Sequence, residues 1–391
     1  MKKKNLLKMG AAALALTVGV SCFAGCGTAN YAQNNTEYYI GCSGPLTGGA
    51  GIYGTAVKNA AEMAVKEIND AGGIGGVKIK FVMMDDVHNA DNVPTNYAKM
   101  KEAGMQMSLG CVTSTPCLTF KAEAEADNMF ILTPSATSDD VTKDASNVYQ
   151  MCFSDSGQGS GAASYIAANY ASAKIGVFYK SDDVYSKGIY DQFYAHYTGD
   201  KSALVVTSFN SANTTDFSTQ INQLKNCDFL FMPIYYQEAT LFIQQAQGQV
   251  ANNAIFFGCD GFDGIDGQTG FDVDTIPQEI SYLSHFDSNA TTGKAGEFVS
   301  KYKTAYGVDT LNQFGASAYD CIYAYKKAIE TANANGKDLK ATTSPADMSK
   351  ALQEVFRSAT FSLDGVTGTN ITWNADGTVV KTPVKYVVNG K

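Results

Sequence analysis

The chain is poor in the side chains and motifs that usually carry chemistry. It has three histidines, His88, His196 and His285, scattered too widely to suggest a metal cluster. No HExxH or GxSxG occurs, and no other pattern assembles a nucleophile with its base. None of the nine cysteines forms a CxxC, so neither a zinc knuckle nor a redox pair is indicated. There is no basic tract, and the net charge of −9 makes nucleic acid an unsuitable partner. No segment is low in complexity, no repeat is visible at the residue level, and no cofactor motif emerges. Beyond the N-terminus, no apolar run is long enough to cross a membrane.

The start of the chain is organised for export. Lys2, Lys3, Lys4 and Lys8 form a basic head. Met9 to Val20 is an apolar stretch of about a dozen residues, short of the ~20 a spanning helix needs and suited to a signal peptide over residues 1–25. It runs into Phe23-Ala24-Gly25-Cys26, which resembles a bacterial lipobox with Phe in place of the usual Leu. Lipidation of Cys26 is expected. It gives a protein outside the cytoplasm, at the cell surface or in the periplasm, anchored to the membrane by its acyl chains. Ordinary secretion after cleavage near Ala24 is the alternative. Residues 26–36 are small and polar and suit a tether. Cys42, Cys111, Cys117, Cys152, Cys227, Cys259 and Cys321 remain, mostly in or beside predicted strands, where cysteine serves as a small apolar filler. Pairing of Cys111 with Cys117 stays open.

What is present is alternation. Tyr38–Ser43 reads as a strand, and the helix after it, with Val57, Ala60, Ala61, Ala64, Val65 and Ile68 at helical spacing, ends at Gly72-Gly73. Val77–Met84 is the next strand, and the pattern repeats. A second series starts near Ser154, with strands at 174–179, 203–209, 229–233, 254–258 and 280–285. Such alternation argues an α/β fold with parallel sheets, in two similar series.

The most informative local feature is a pair of hydroxyl clusters, each just past a short apolar run. Thr113-Ser114-Thr115 follows Met107–Val112, and Thr133-Pro134-Ser135-Ala136-Thr137 follows Met129–Leu132. A segment over Thr119–Asp127 reads as the helix between them. In a parallel sheet, the carboxyl ends of two such strands are neighbours, and small polar ligands bind there. Hydroxyl and amide donors suit a carboxylate. An acidic residue at another strand end, Asp260, suits an ammonium group. Singly, each has an ordinary explanation. A Ser or Thr after a strand is usually a turn residue or helix cap, Asp260 can cap the next turn, and Tyr185 and Tyr235 are two of 22 tyrosines.

Taken in order, the motifs resemble those of the extracellular amino-acid-binding proteins of branched-chain-type ABC transporters. The resemblance rests on Ser43-Gly44-Pro45-Leu46-Thr47-Gly48 with Tyr53-Gly54, on Glu67-Ile68-Asn69-Asp70-Ala71-Gly72-Gly73-Ile74, on Asp85-Asp86, on the Thr133–Thr137 cluster and on Asp216-Phe217-Ser218. It implies two Rossmann-like lobes joined by a three-stranded hinge, with the ligand cleft between them. Lobe one would hold residues 37–153 and 285–360, and lobe two residues 154–284 and 361–391. It implies a carboxylate contact from Ser114, contacts from Thr137 to both carboxylate and ammonium, and a backbone carbonyl at Ser135, where the usual Ala is replaced, for the ammonium. Asp260 would be the acidic partner, Tyr185 and Tyr235 the lobe-two aromatics, and Tyr53 a neighbour of the ligand side chain. The family's disulfide near the second strand does not carry over, because His88 stands in that region. The implied protein is a monomer, not an enzyme and without cofactor. It captures an amino acid, branched-chain or otherwise apolar, and delivers it to an ABC permease. A ligand-sensing module of the same fold, or a binder of an amide, small carboxylate or aromatic acid, is the alternative.

Two tempting motifs fail. Gly49-Ala50-Gly51-Ile52-Tyr53-Gly54 is a literal GxGxxG, but Gly49 lies well past the strand end at Ser43, and Asp85 is too distant for the acid ~20 residues on that a dinucleotide site requires. Asp260, Asp263 and Asp266 are spaced by three, whereas a calcium loop takes alternate residues.

Overall fold

Short strands, the central ones buried on both faces, form the frame of the molecule, which the computed structural model describes over residues 30–391. Strands of this kind belong in parallel sheets covered by helices. Lobe one contains β1 (Tyr38–Gly44), α1 (Gly51–Asp70), β2 (Ile79–Asp85), α2 (Val93–Glu102), β3 (Met107–Cys111), α3 (Ser114–Glu125), β4 (Phe130–Thr133), α4 (Asp139–Thr142) and β5 (Val148–Gln150). Its sheet is wholly parallel, in the order β2-β1-β3-β4-β5. The apolar face of α1 is buried against it, and the helix ends in a left-handed turn, with Gly73 N–H bonded to the Ile68 carbonyl at 2.8 Å.

Lobe two contains α5 (Asp155–Asn169), β6 (Ile175–Lys180), α6 (Val184–His196), β7 (Val205–Phe209), α7 (Ser218–Leu224), β8 (Phe229–Met232), α8 (Tyr236–Ala246), β9 (Ile255–Gly258) and β10 (Glu279–Ser284). The chain then returns to lobe one as α9 (Gly293–Tyr306), α10 (Gln313–Ala334) and α11 (Pro345–Phe356), and ends in lobe two as β11 (Val384–Val387). The second sheet runs β11-β10-β9-β8-β6-β7, with β11 antiparallel to β10. The two sheets are thus joined by three crossings of the chain.

Several expectations change. The helix expected from Thr119 begins at Ser114, because Thr113 is extended and Pro116 is accepted in the first turn. The third crossing comes near residue 384, not at 361. Phe361 and Trp373 pack against Phe356 of α11, and the Trp373 indole donates to the Gln150 carbonyl at 2.8 Å, which ties this segment to lobe one. The tether is shorter at its C-terminal end than residues 26–36. Ala32 is fully buried, Asn30 bonds the Thr342 carbonyl, and Asn35 bonds the Gly104 carbonyl. The signal segment 1–25 and Cys26 lie outside the described residues. Among those described, all seven cysteines, including Cys111 and Cys117, are buried free thiols.

Candidate functional site

A small, tightly closed cavity lies between the lobes at the carboxyl ends of the strands. Of the seven residues expected at a ligand site, Tyr53, Ser114, Ser135, Tyr185, Tyr235 and Asp260 line it. Thr137 does not. Val112, Thr113, Gly261 and Phe314 complete the wall. A larger, open groove lies on the outer side of lobe one. Its Lys301 and Glu67 are already paired at 2.8 Å, and none of the unpartnered buried polar atoms belongs to it. The smaller cavity is therefore the candidate.

One end of the cavity is built to donate. β3 delivers the chain to the N-terminus of α3, whose first residue is Ser114. No side chain caps this helix, so its first N–H groups and its positive dipole end are left open to an anionic group. The Ser114 oxygen already accepts the Ser138 N–H at 3.2 Å, which leaves the hydroxyl proton free to donate. Ser135 is fixed differently. Its hydroxyl is spent on the Val112 carbonyl at 2.6 Å.

The other end is acidic. Asp260 follows β9 in a 3₁₀ turn. One carboxylate oxygen accepts the Tyr185 hydroxyl at 2.8 Å, and the Asp260 N–H donates to Gln158 Oε1 at 2.9 Å. Burial pushes this carboxyl up to about 7. Asp155, the first residue of α5, is buried with both oxygens lacking a hydrogen bond. Burial drives its pKa well above the carboxylate range, opposed by the nearby Thr137 hydroxyl and reinforced by Asp260. The Thr137 hydroxyl and Gln158 Nε2 are buried without partners too. Among the described residues, no lysine or arginine pairs with Asp155 or Asp260. Unsatisfied buried polar groups are rare in folded proteins, and a cluster of them marks a place completed by something else.

Aromatic rings close the remaining sides. Tyr185 and Tyr235 of lobe two stack at 4.7 Å with 12° between their planes. Tyr53 of lobe one meets Phe314 edge-on at 4.7 Å. The Tyr53 hydroxyl also spans the cleft, donating to the Gly261 carbonyl and accepting the Tyr236 N–H at 3.3 Å. Sequence reasoning missed Asp155, Gln158 and Phe314. No local motif marks them, since each is brought in by a crossing of the chain or by the start of a distant helix.

The periplasmic binding protein family matches residues 37–388. The chain is 26% identical over 334 residues, 85% of its length and 89% of the relative's, to the Leu/Ile/Val-binding protein BraC3 of Rhizobium johnstonii. It is similar, at a TM-score of 0.75 and 26% identity over 91% of this chain and 97% of the other, to the branched-chain amino acid transporter substrate-binding protein LivJ of Streptococcus pneumoniae in complex with isoleucine. An ABC transporter solute-binding protein of R. palustris in complex with benzoate shares the fold, with a TM-score of 0.72 and 18% identity over 90% of this chain and 92% of that one. This chain belongs to the periplasmic binding protein family.

Proposed function

We propose that this chain captures an α-amino acid by closure of its two lobes and delivers it to an ABC permease. The observation that carries this reading is a polarity: the buried Asp260 carboxyl, with no cation paired to it among the described residues, lines the same small cavity as the uncapped N-terminus of α3, and the unpartnered Asp155 carboxyl lies near Asp260 outside the cavity wall. A zwitterion with a carboxylate at one end and an ammonium at the other is its complement. Ser114 and the first N–H groups of α3 take the carboxylate. Asp260 and the Ser135 carbonyl take the ammonium, with Thr137 and Asp155 behind the cavity wall and Asp155 adding negative potential there. Tyr53, Val112 and Phe314 offer an apolar wall to the ligand side chain, and Tyr185 and Tyr235 supply the lobe-two contacts that reward closure.

The relatives are substrate-binding proteins, and the family works outside the cytoplasm. No described helix is long and apolar enough to cross a membrane. In this reading Cys26 carries a lipid anchor and the protein acts as a monomer. The benzoate-bound neighbour favours a second reading, an aromatic or small carboxylic acid as ligand. That ligand leaves Asp260 and Asp155 without a cationic partner, so the amino acid is preferred. Native mass spectrometry of protein purified without refolding tests the proposal. A retained mass equal to that of an amino acid supports it, and a retained aromatic acid contradicts it.

A further inference from the structure

Thr113 is the backbone N-cap of α3, with φ −112° and ψ 154°, yet its side chain makes no capping bond. A threonine there ordinarily bonds the N–H of the second or third helical residue. The third is Pro116, which has no N–H, so the Thr115 N–H is the one target within a cap's usual reach. The Thr113 hydroxyl instead pairs with Nδ1 of His88 at 2.8 Å.

His88 is held in place at some cost to the backbone. Val87 and His88 both adopt left-handed conformations, at φ 56° and 57°, which a β-branched residue such as valine avoids. Two carboxylates pin the turn: Asp85 accepts the Val87 N–H and Asp86 accepts the His88 N–H, each at 2.9 Å. The ring meets Tyr235 of lobe two edge-on at 5.4 Å. Burial, with Lys180 of β6 adding to it, keeps the imidazole neutral and lowers its pKa to about 4.

We propose that His88 is a positioning residue that draws the Thr113 hydroxyl away from the first turn of α3 and so keeps that helix N-terminus open for the ligand. The strained turn and the uncapped helix then have one explanation. Each gives up local stability to leave donors exposed to the cleft. This rests on the amino-acid reading of the site.

The test is a cycle of His88→Gly and Thr113→Val, with L-isoleucine as the calorimetric probe. Glycine relieves the left-handed backbone and removes the imidazole. With Thr113 intact, His88→Gly is expected to lower affinity by about tenfold, the scale of one helix cap, while the ligand-free melting temperature holds or rises. In the Thr113→Val background, where nothing can cap, the same change is expected to have little further effect. Amide exchange at Thr115 gives a readout without ligand. It should slow in His88→Gly and not in the double variant. An equal loss of affinity in both backgrounds, a melting temperature that falls with affinity, or unchanged exchange at Thr115 overturns the proposal. If the wild type binds none of the protein amino acids, the functional reading fails, and the exchange measurement still decides the role of His88.

Discussion

The Tyr53 hydroxyl of lobe one donates to the Gly261 carbonyl of lobe two at 2.5 Å, one residue from Asp260. This bond needs no ligand atom, so it contributes to closure independently of what is bound. Tyr53→Phe keeps the ring against Phe314 and removes both hydrogen bonds of this hydroxyl across the cleft, to the Gly261 carbonyl and from the Tyr236 N–H. The expected result is a loss of about 1 kcal/mol in affinity, roughly fivefold, read as faster dissociation in stopped-flow measurements. An unchanged dissociation rate means the lobes are held by other contacts.

Asp260→Asn separates ligand recognition from stability. Truncating one side of a buried charge pair costs ~2–5 kcal/mol in binding. Without ligand the sign reverses, because among the described residues the buried carboxylate lacks a cation and asparagine need not ionise. The variant should bind far more weakly in calorimetry, yet melt at a higher temperature than wild type at pH 8. A lower melting temperature would show that the Tyr185 and Gln158 contacts, not the ligand, are what the carboxylate serves.

Proton release follows from the same group. The folded, ligand-free pKa of Asp260 is raised from 3.8 to about 7. Its contribution to ligand-free stability is therefore present below pH 4 and lost as pH rises through 7. An ammonium placed against it restores the ionised form. Binding at pH 6 should release protons, read from calorimetry in buffers of different ionisation enthalpy, and ligand-induced stabilisation should grow from pH 5 to 8. Asp260→Asn should abolish that share of the release.

Thr137→Val removes a buried hydroxyl that has no hydrogen-bond partner within the protein. It should leave the ligand-free melting temperature unchanged or raise stability by up to ~1 kcal/mol, while affinity falls. A loss of several kcal/mol without ligand would mean the hydroxyl serves the turn.

The alternation of strands and helices was legible because parallel strands buried on both faces give unbroken apolar runs, as in Phe229–Met232 and Phe130–Thr133. Beside the single turn of α4, two helices have no counterpart in the sequence reading, for different reasons. α5 reads Asp-Ser-Gly-Gln-Gly-Ser-Gly, a poor helix by propensity, but a Cβ at Gly159 would sit 2.6 Å from the Ile189 carbonyl, so the glycine permits close packing on α6. α11 carries a local signal, Ser344 capping Asp347 with Pro345 in the first turn. In the site, residues at strand ends were readable from local motifs. Asp155 and Phe314 were not, because only the chain crossings bring them to the cleft. The start of α3 was misplaced, and that error hid the helix N-terminus behind Ser114.

The central claim, that both charged ends of an amino acid are recognised, is tested most directly by calorimetry of ligand-stripped protein. The protein amino acids are titrated singly, and the tightest binder is then compared with its des-amino carboxylic acid, 3-methylpentanoate in the case of L-isoleucine. The account predicts saturable one-to-one binding of the amino acid and a loss of affinity of ~2–5 kcal/mol for the des-amino acid. Equal affinity for the des-amino acid, or binding of benzoate with none of any amino acid, would contradict it.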